Sequence, residues 1–441
     1  MAEISVMALY EQITDNHSKF LESLRHRFLD EDRQSALQKF ETTGFPTKKD
    51  EEYKYTNLKE ITEKEYNFFP KESHNITKEQ LDELHFGEEN FDWIVFVNGK
   101  LHKELSKISI ENVEFLSFNY ALNDEKHKEV FEKYFNTIAS KDSAFTNLNL
   151  AYCKYGFFLK VPKNVVIEKP IHVFYLSQNQ EENTFYNTRN LLIVEEGAKV
   201  EVIESHHNFD DSYVFTNSVT EIFAYPNAKA DWHKLQNDND TSYLVDSTFA
   251  KQEKDSLATV NTFSFGGKLV RNNLDFIHNG SNINSFMNGI TIIGKDQLVD
   301  HHTAVHHNQP NCESYQNYKG IFKDKSHGVF NGKIFVNKIA QKTNAYQQNN
   351  NVLLSEGATI DTKPQLEIFA DDVKCSHGCT VGQLNEDALF YLRARGISKK
   401  EAQALLLYAF ANDAMQNIDI EPLKEKISKL LSEKLEVKME F

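Results

Sequence analysis

The stretch Leu191-Leu192-Ile193-Val194-Glu195-Glu196-Gly197-Ala198-Lys199-Val200-Glu201-Val202-Ile203 sets two short apolar runs on either side of a polar corner with a glycine in it. A helix needs apolar residues three and four apart over ten or more positions, and these runs are too short and too continuous for that. The same texture extends both ways, from about 150 to 380. Val165-Val166-Ile167, Val219 to Phe223, Ile290 to Ile293, Ile334 to Val336 and Val352 to Leu354 are further apolar runs, separated by Asn, Asp, Gly and His. Val194 to Ala198 is echoed by Leu354-Ser355-Glu356-Gly357-Ala358. Many short strands with polar corners and no long helix indicate a solenoid or a large sandwich. The shortness of the strands and the polarity of the corners favour a parallel β-helix, with a double-sheet sandwich as the alternative.

The flanks read differently. Before about 145 the chain is mixed, with much helix. Leu21, Leu24, Phe28 and Leu29 recur at helical spacing, Thr43-Gly44-Phe45-Pro46 breaks the pattern, and Val130 to Ser140 reads as helix again. Asp92 to Lys100 is a strand closing on an Asn98-Gly99 turn. Beyond Gly382, Asn385 caps a helix ended by Gly396, and Ser398 with Glu401 forms a capping box for the next. Leu405, Leu406, Ala409 and Phe410 are its expected apolar stripe, and a last helix starts near Pro422 with Ile427, Leu430, Leu431 and Leu435 on one side. The expected organisation is a mixed helical region over 1–145, a β-helix core over 146–383 and a helical domain over 384–441.

Composition bounds the function. The 441 residues carry a net charge of −16, which argues against a nucleic-acid coat or an anionic-membrane binder, since both need a basic face. No apolar run is long enough to span a membrane, and the first ten residues do not read as a signal peptide. Four cysteines, Cys153, Cys312, Cys375 and Cys379, make no disulfide scaffold and point to a reducing cytoplasm. The phosphate loop of P-loop ATPases, the Rossmann glycine fingerprint, HExxH and GxSxG are all missing.

Two clusters have chemistry to offer. In Asp300-His301-His302-Thr303-Ala304-Val305-His306-His307, strand alternation sends His302 and His306 one way and His301 and His307 the other. Residues four apart on a strand are separated by about 13 Å at ~3.3 Å per residue, so these imidazoles do not share one metal; a polar solenoid face is the better reading. In Lys374-Cys375-Ser376-His377-Gly378-Cys379, the residues Cys375, His377 and Cys379 share one face of an extended chain. Thiolate and imidazole suit zinc, copper or the iron of iron–sulfur clusters, and Lys374 is placed to lower a thiol pKa. Three ligands leave a tetrahedral set incomplete. Small buried residues that happen to be cysteine remain the alternative.

Thr362-Lys363-Pro364-Gln365-Leu366-Glu367-Ile368-Phe369-Ala370, continuing through Cys375-Ser376-His377-Gly378 to Leu384, resembles the SufB/SufD family of iron–sulfur cluster assembly proteins. So do Ala388 to Ile397, Tyr318 to Phe322, Gly328 to Ile334, Ala340 to Thr343 and the His-rich Thr303 to Pro310. Gly44 to Lys49, Tyr53 to Leu58 and Val95 to Lys100 resemble the SufD branch, as does the lack of a cysteine before Cys153. The resemblance implies a right-handed parallel β-helix between helical domains. It implies a scaffold, not an enzyme, that pairs with a SufB-like paralogue and binds a SufC-like ATPase through the C-terminal helices. Nascent iron–sulfur clusters would then form transiently at the SufB–SufD interface. Cys375 and His377 fall on the family's Cys-Ser-His-Gly motif, while Cys379 stands where Ala is usual and is an additional candidate ligand. The resemblance leaves open a flavin in the assembled complex and a homodimer of the isolated chain, and implies nothing tightly bound to the isolated chain. Two other readings stand beside it: a β-helix or His-metal enzyme acting on a carbohydrate, and a zinc-stabilised module using Cys375, His377 and Cys379.

Overall fold

A computed structural model of the chain describes residues 8–24, 27–71, 76–87, 90–110, 113–140, 142–178, 182–415 and 418–436. Its centre is a parallel β-solenoid of about eight turns. Successive strands alternate between two facing sheets, one of ten strands and one of nine among the described residues. Each strand pairs in parallel with the next but one: Tyr243 lies beside Leu269, Gln316 beside Gln347 and Phe158 beside Leu191, so a coil takes about thirty residues. The sandwich alternative was right about two sheets and wrong about how they are wound.

The strands are longer than the apolar runs suggested. Thr184–Val194, Val214–Ala224 and Leu298–His307 each span ten or eleven residues. Polar residues extend the runs because they point into the lumen or towards a covering layer, where hydrogen bonds satisfy them. The run at Val165 to Ile167 is not a strand; only Val166 bridges, to Lys199. Corners are turned by Asn164, Asn227, Asp255, Asn282, Asn311 and Asp324, all in the left-handed backbone region that Asn and Asp tolerate best after glycine. The echoed fragments are both corners: Ala198 N–H donates to Glu195 O and Ala358 N–H to Ser355 O.

The two helical regions cover opposite faces. Helices Leu9–Glu22, Asp30–Thr43 and Ala144–Tyr152 pack Ile13, Phe20, Phe40 and Leu148 against Phe185, Leu191, Phe215 and Tyr243 on the outside of the nine-stranded sheet. Leu24, Phe28 and Leu29 belong to the link between the first two helices rather than to one long helix. The helix read over Val130 to Ser140 stops at Tyr134, its segment spanning Lys128–Tyr134. A buried charge pair joins this layer to the solenoid. Glu221 accepts from Arg189 Nη2 at 2.5 Å and from the backbone N–H groups of Asn136, Ile138 and Ala139.

On the ten-stranded sheet, Leu407, Ala411, Ile427 and Leu431 of helices Lys399–Asn412 and Glu421–Lys434 share a core with Leu235, Ile290 and Ile321. The stripe on the first of these helices is Ala402, Ala404, Leu407 and Ala411, not the one centred on Leu405, which is exposed. Both expected caps are present: Asn385 accepts from Ala388 N–H, and Ser398 and Glu401 close a capping box. No helix among the described residues is long and apolar enough to cross a membrane.

The ends of the solenoid differ. At the first coil, strand Asp92–Val97 turns at Asn98-Gly99 into the antiparallel Lys100–Leu101, and the antiparallel Glu114–Ser117 finishes the other sheet. At the last coil, strands Thr359–Ile368 and Lys374–Gly382 are sheet edges with largely uncovered residues.

Candidate functional site

Cys375, His377 and Cys379 lie on that last strand. Parallel register stacks Cys375 on Ala345, His377 on Gln347 and Cys379 on Asn349, and all three lower residues are buried in the lumen. The candidate residues therefore point along the inside of the solenoid, at the coil that no further strand covers among the described residues. Alternation put them on one face, as expected; the coil register makes that face the mouth of the lumen.

Their environments differ. Cys375 packs against a small apolar cluster of Ile334, Val336, Ala340 and Ala345. Burial pushes its thiol above the ordinary value, partly offset by a hydrogen bond from the Ala345 backbone. This reverses the expectation that Lys374 lowers it: desolvation disfavours the thiolate, and a lysine pointing out of the opposite side of the strand does not compensate. Cys379 is exposed, and its Sγ donates to Thr362 Oγ1 at 3.3 Å across the mouth. His377 is exposed and makes no hydrogen bond among the described residues. Among those residues no three His, Cys, Asp or Glu side chains gather closely enough to hold an ion. Cys375 and His377 thus stand at an opening, a thiol and an imidazole on one face of the strand.

The His-rich strand plays a structural part. His301 and His307 enter the lumen, where His301 Nε2 meets Thr291 Oγ1 at 2.9 Å and His307 Nε2 meets Ser314 Oγ at 2.9 Å. His302 points outward, with Nδ1 2.9 Å from Glu52 and Nε2 2.9 Å from Asp300. Glu52 belongs to the 44–58 segment that straps the sheet, and it also binds Lys333 at 2.5 Å. Its carboxyl is held down at about 2, above all by the His302 hydrogen bond, against the cost of burial. Burial alone would raise the Asp300 carboxyl, but the Arg271 guanidinium and His302 hold it below the usual range. These groups anchor the strap, a role the sequence reading did not find. The lumen column Gln316–Gln347–His377 was also missed; writing the chain in lines of one coil brings those residues into register.

A second exposed feature lies beyond the strand. Helix Glu386–Ala394 presents Phe390 and Tyr391 to solvent at 74% and 56% exposure. Arg395 lies against the Tyr391 ring, 4.4 Å from its centroid.

Comparison with known proteins agrees with this layout. Residues 175–410 match the description "SUF system FeS cluster assembly, SufBD core domain", and residues 4–173 match "SufBD protein N-terminal region". The chain is 32% identical to the iron–sulfur cluster assembly protein SufD of Escherichia coli, over 95% of this chain and 98% of that one. It is 30% identical to an iron–sulfur cluster assembly SufBD family protein of Synechocystis, over 91% and 90% of the two chains. Protein ABCI7, chloroplastic, of Arabidopsis thaliana is 28% identical over 89% and 83%. The chain belongs to the SufBD family of iron–sulfur cluster assembly proteins, as a member of the SufD type.

Proposed function

We propose that this chain is a non-catalytic scaffold subunit on which an iron–sulfur cluster is built as cargo at a junction with a SufB-type paralogue. The observation that carries the reading is the uncapped last coil, where two unpaired strand edges surround inward-facing Cys375 and His377. Exposed edges add the strand of another chain through main-chain hydrogen bonds. A SufB-type paralogue that presented an edge of the matching kind would complete the ligand set that this chain leaves partial. Cys375 would bind as thiolate; its raised pKa means that iron, or a partner cation, must help remove the proton. His377 would offer neutral imidazole, a ligand that iron–sulfur sites use. Phe390 and Tyr391 would form part of the docking surface for a SufC-type ATPase, whose cycle would open and close the junction.

The test is an anaerobic pull-down of the tagged chain from cells that also express its SufB-type and SufC-type partners, followed by iron and sulfide analysis. The expected result is a three-component complex that carries cluster, with cluster but not complex lost in a Cys375→Ser/His377→Ala variant. Recovery of the chain alone, or paired only with itself, while both partners are soluble in the lysate, overturns the proposal. One zinc per chain, with stability lost on chelation, would favour the zinc module instead.

A further inference from the structure

The lumen beneath His377 contains two amide atoms with nothing to bind, Gln347 Oε1 and, one coil deeper, Gln316 Nε2. Thr303 Oγ1 donates to Gln316 Oε1 at 2.7 Å, and Gln347 Nε2 donates to the same oxygen at 3.0 Å. Both lone pairs of Gln316 Oε1 are then occupied, and the Gln347 carboxamide is oriented with its nitrogen towards Gln316. Its Oε1 is left over. Gln347 is only 2% exposed, and Oε1 is buried without a hydrogen-bond partner. Such orphans are rare in folded proteins and call for an explanation. The next group along the column is His377, one strand spacing, about 4.8 Å, further towards the mouth.

The neighbouring sheet makes room for this amide. A Cβ at Gly332 would fall 2.2 Å from Gln347 Nε2 and 2.8 Å from its Cδ. Gly332 lies at ordinary negative φ, so its lack of a side chain serves the close approach and not a special backbone shape. Glycine at 332 and the Thr303–Gln316 pair together form a cradle for the Gln347 carboxamide.

We propose that Gln347 is a positioning residue for His377: the ring, unbonded in this structure, turns inward so that Gln347 Oε1 accepts one imidazole N–H, which fixes the tautomer and aims the other ring nitrogen out of the mouth towards iron. Imidazoles that bind metal donate their second N–H to a carbonyl, carboxylate or water, and loss of that partner costs 10- to 100-fold in metal affinity in general. The inference rests on the reading of His377 as a ligand. Gln347 touches neither iron nor the partner.

The experiment has two readouts. The first is the ring-nitrogen NMR spectrum of the full chain labelled with [15N]histidine, with His377 assigned by its loss in His377→Ala. One tautomer is expected in the wild type and a mixture in Gln347→Leu. Gly332→Ala, which displaces the amide without touching it chemically, should match Gln347→Leu. Identical His377 shifts in wild type, Gln347→Leu and Gly332→Ala overturn the inference. The second readout is ferrous ion binding by the purified complex with both partners. Gln347→Leu should weaken it about tenfold. If His377→Ala binds ferrous ion like wild type, the ligand reading fails, and the NMR comparison still decides the role of Gln347.

Discussion

Acid should loosen this fold, and His301 allows the effect to be measured at one site. The ring lies in the lumen, 5% exposed, beside Thr291 and Asn272. Burial lowers its pKa to about 4, with Asp300 opposing and His302 and Lys234 reinforcing the shift. The unfolded chain titrates at the ordinary value of about 6.5. Between those values the unfolded state binds the extra proton, so stability is fully present above about pH 6.5 and is lost as pH falls towards 4. At pH 5 the loss from this ring is about 2 kcal/mol relative to pH 7, with a limiting slope of about 1.4 kcal/mol per pH unit. The assay is urea unfolding, followed by circular dichroism, of wild type and His301→Gln at pH 7 and pH 5. The substitution costs stability at both pH values, but it removes the titration. The wild type should therefore lose about 2 kcal/mol more than the variant between the two pH values. Parallel pH dependence in the two proteins would refute the reasoning, because it would mean that the ring titrates alike folded and unfolded. His233, at about 4, and His307, at about 3, lean the same way through burial, so the whole protein should be acid-labile below pH 6.

Other predictions test other joints of the structure. Glu221→Gln strips the charge that faces Arg189 where both are fully buried, and should cost about 3–5 kcal/mol in thermal or urea unfolding. Because its thiol pKa is raised, Cys375 should react with a disulfide reagent at pH 7 more slowly than free cysteine, and faster as pH rises past the ordinary thiol value; a Cys375→Ser control isolates its share. Phe390→Asp/Tyr391→Asp should weaken capture of a SufC-type ATPase at least tenfold and leave the melting temperature unchanged, since both rings are outside the core.

What could be read from sequence was whatever depends on near neighbours. The Ser398–Glu401 capping box, the Asn385 cap and the Asn98-Gly99 turn are each closed by hydrogen bonds within a few residues, and all three are present. The alternation of Cys375, His377 and Cys379, and of His301 against His302, follows from the two-residue period of a strand. Contacts set by the coil were not legible. Gln347 under His377 depends on the one-coil register, and Thr362 opposite Cys379, 17 residues apart, on how the two sheets face each other; only the wound solenoid reveals either. The stripe on helix Lys399–Asn412 misled because the helix is apolar on several sides, and packing chose Leu407 and Ala411 over Leu405. Strand lengths were underestimated because a polar lumen lets Asn190 and Asn349 sit inside, where an oily core would have excluded them.

The unlike ends of the solenoid also fix how many chains a seam can join. A stack that can be extended in both directions keeps adding units and becomes a fibre. Here one direction is closed by short antiparallel strands, so joining two mouths consumes both and leaves nowhere for a third. Under the proposed pairing, growth would terminate after a single step, with one seam per pair. Whatever such a pair built between Cys375, His377 and the facing chain would be made once per assembly, and the count would be set some eight coils away from the chemistry.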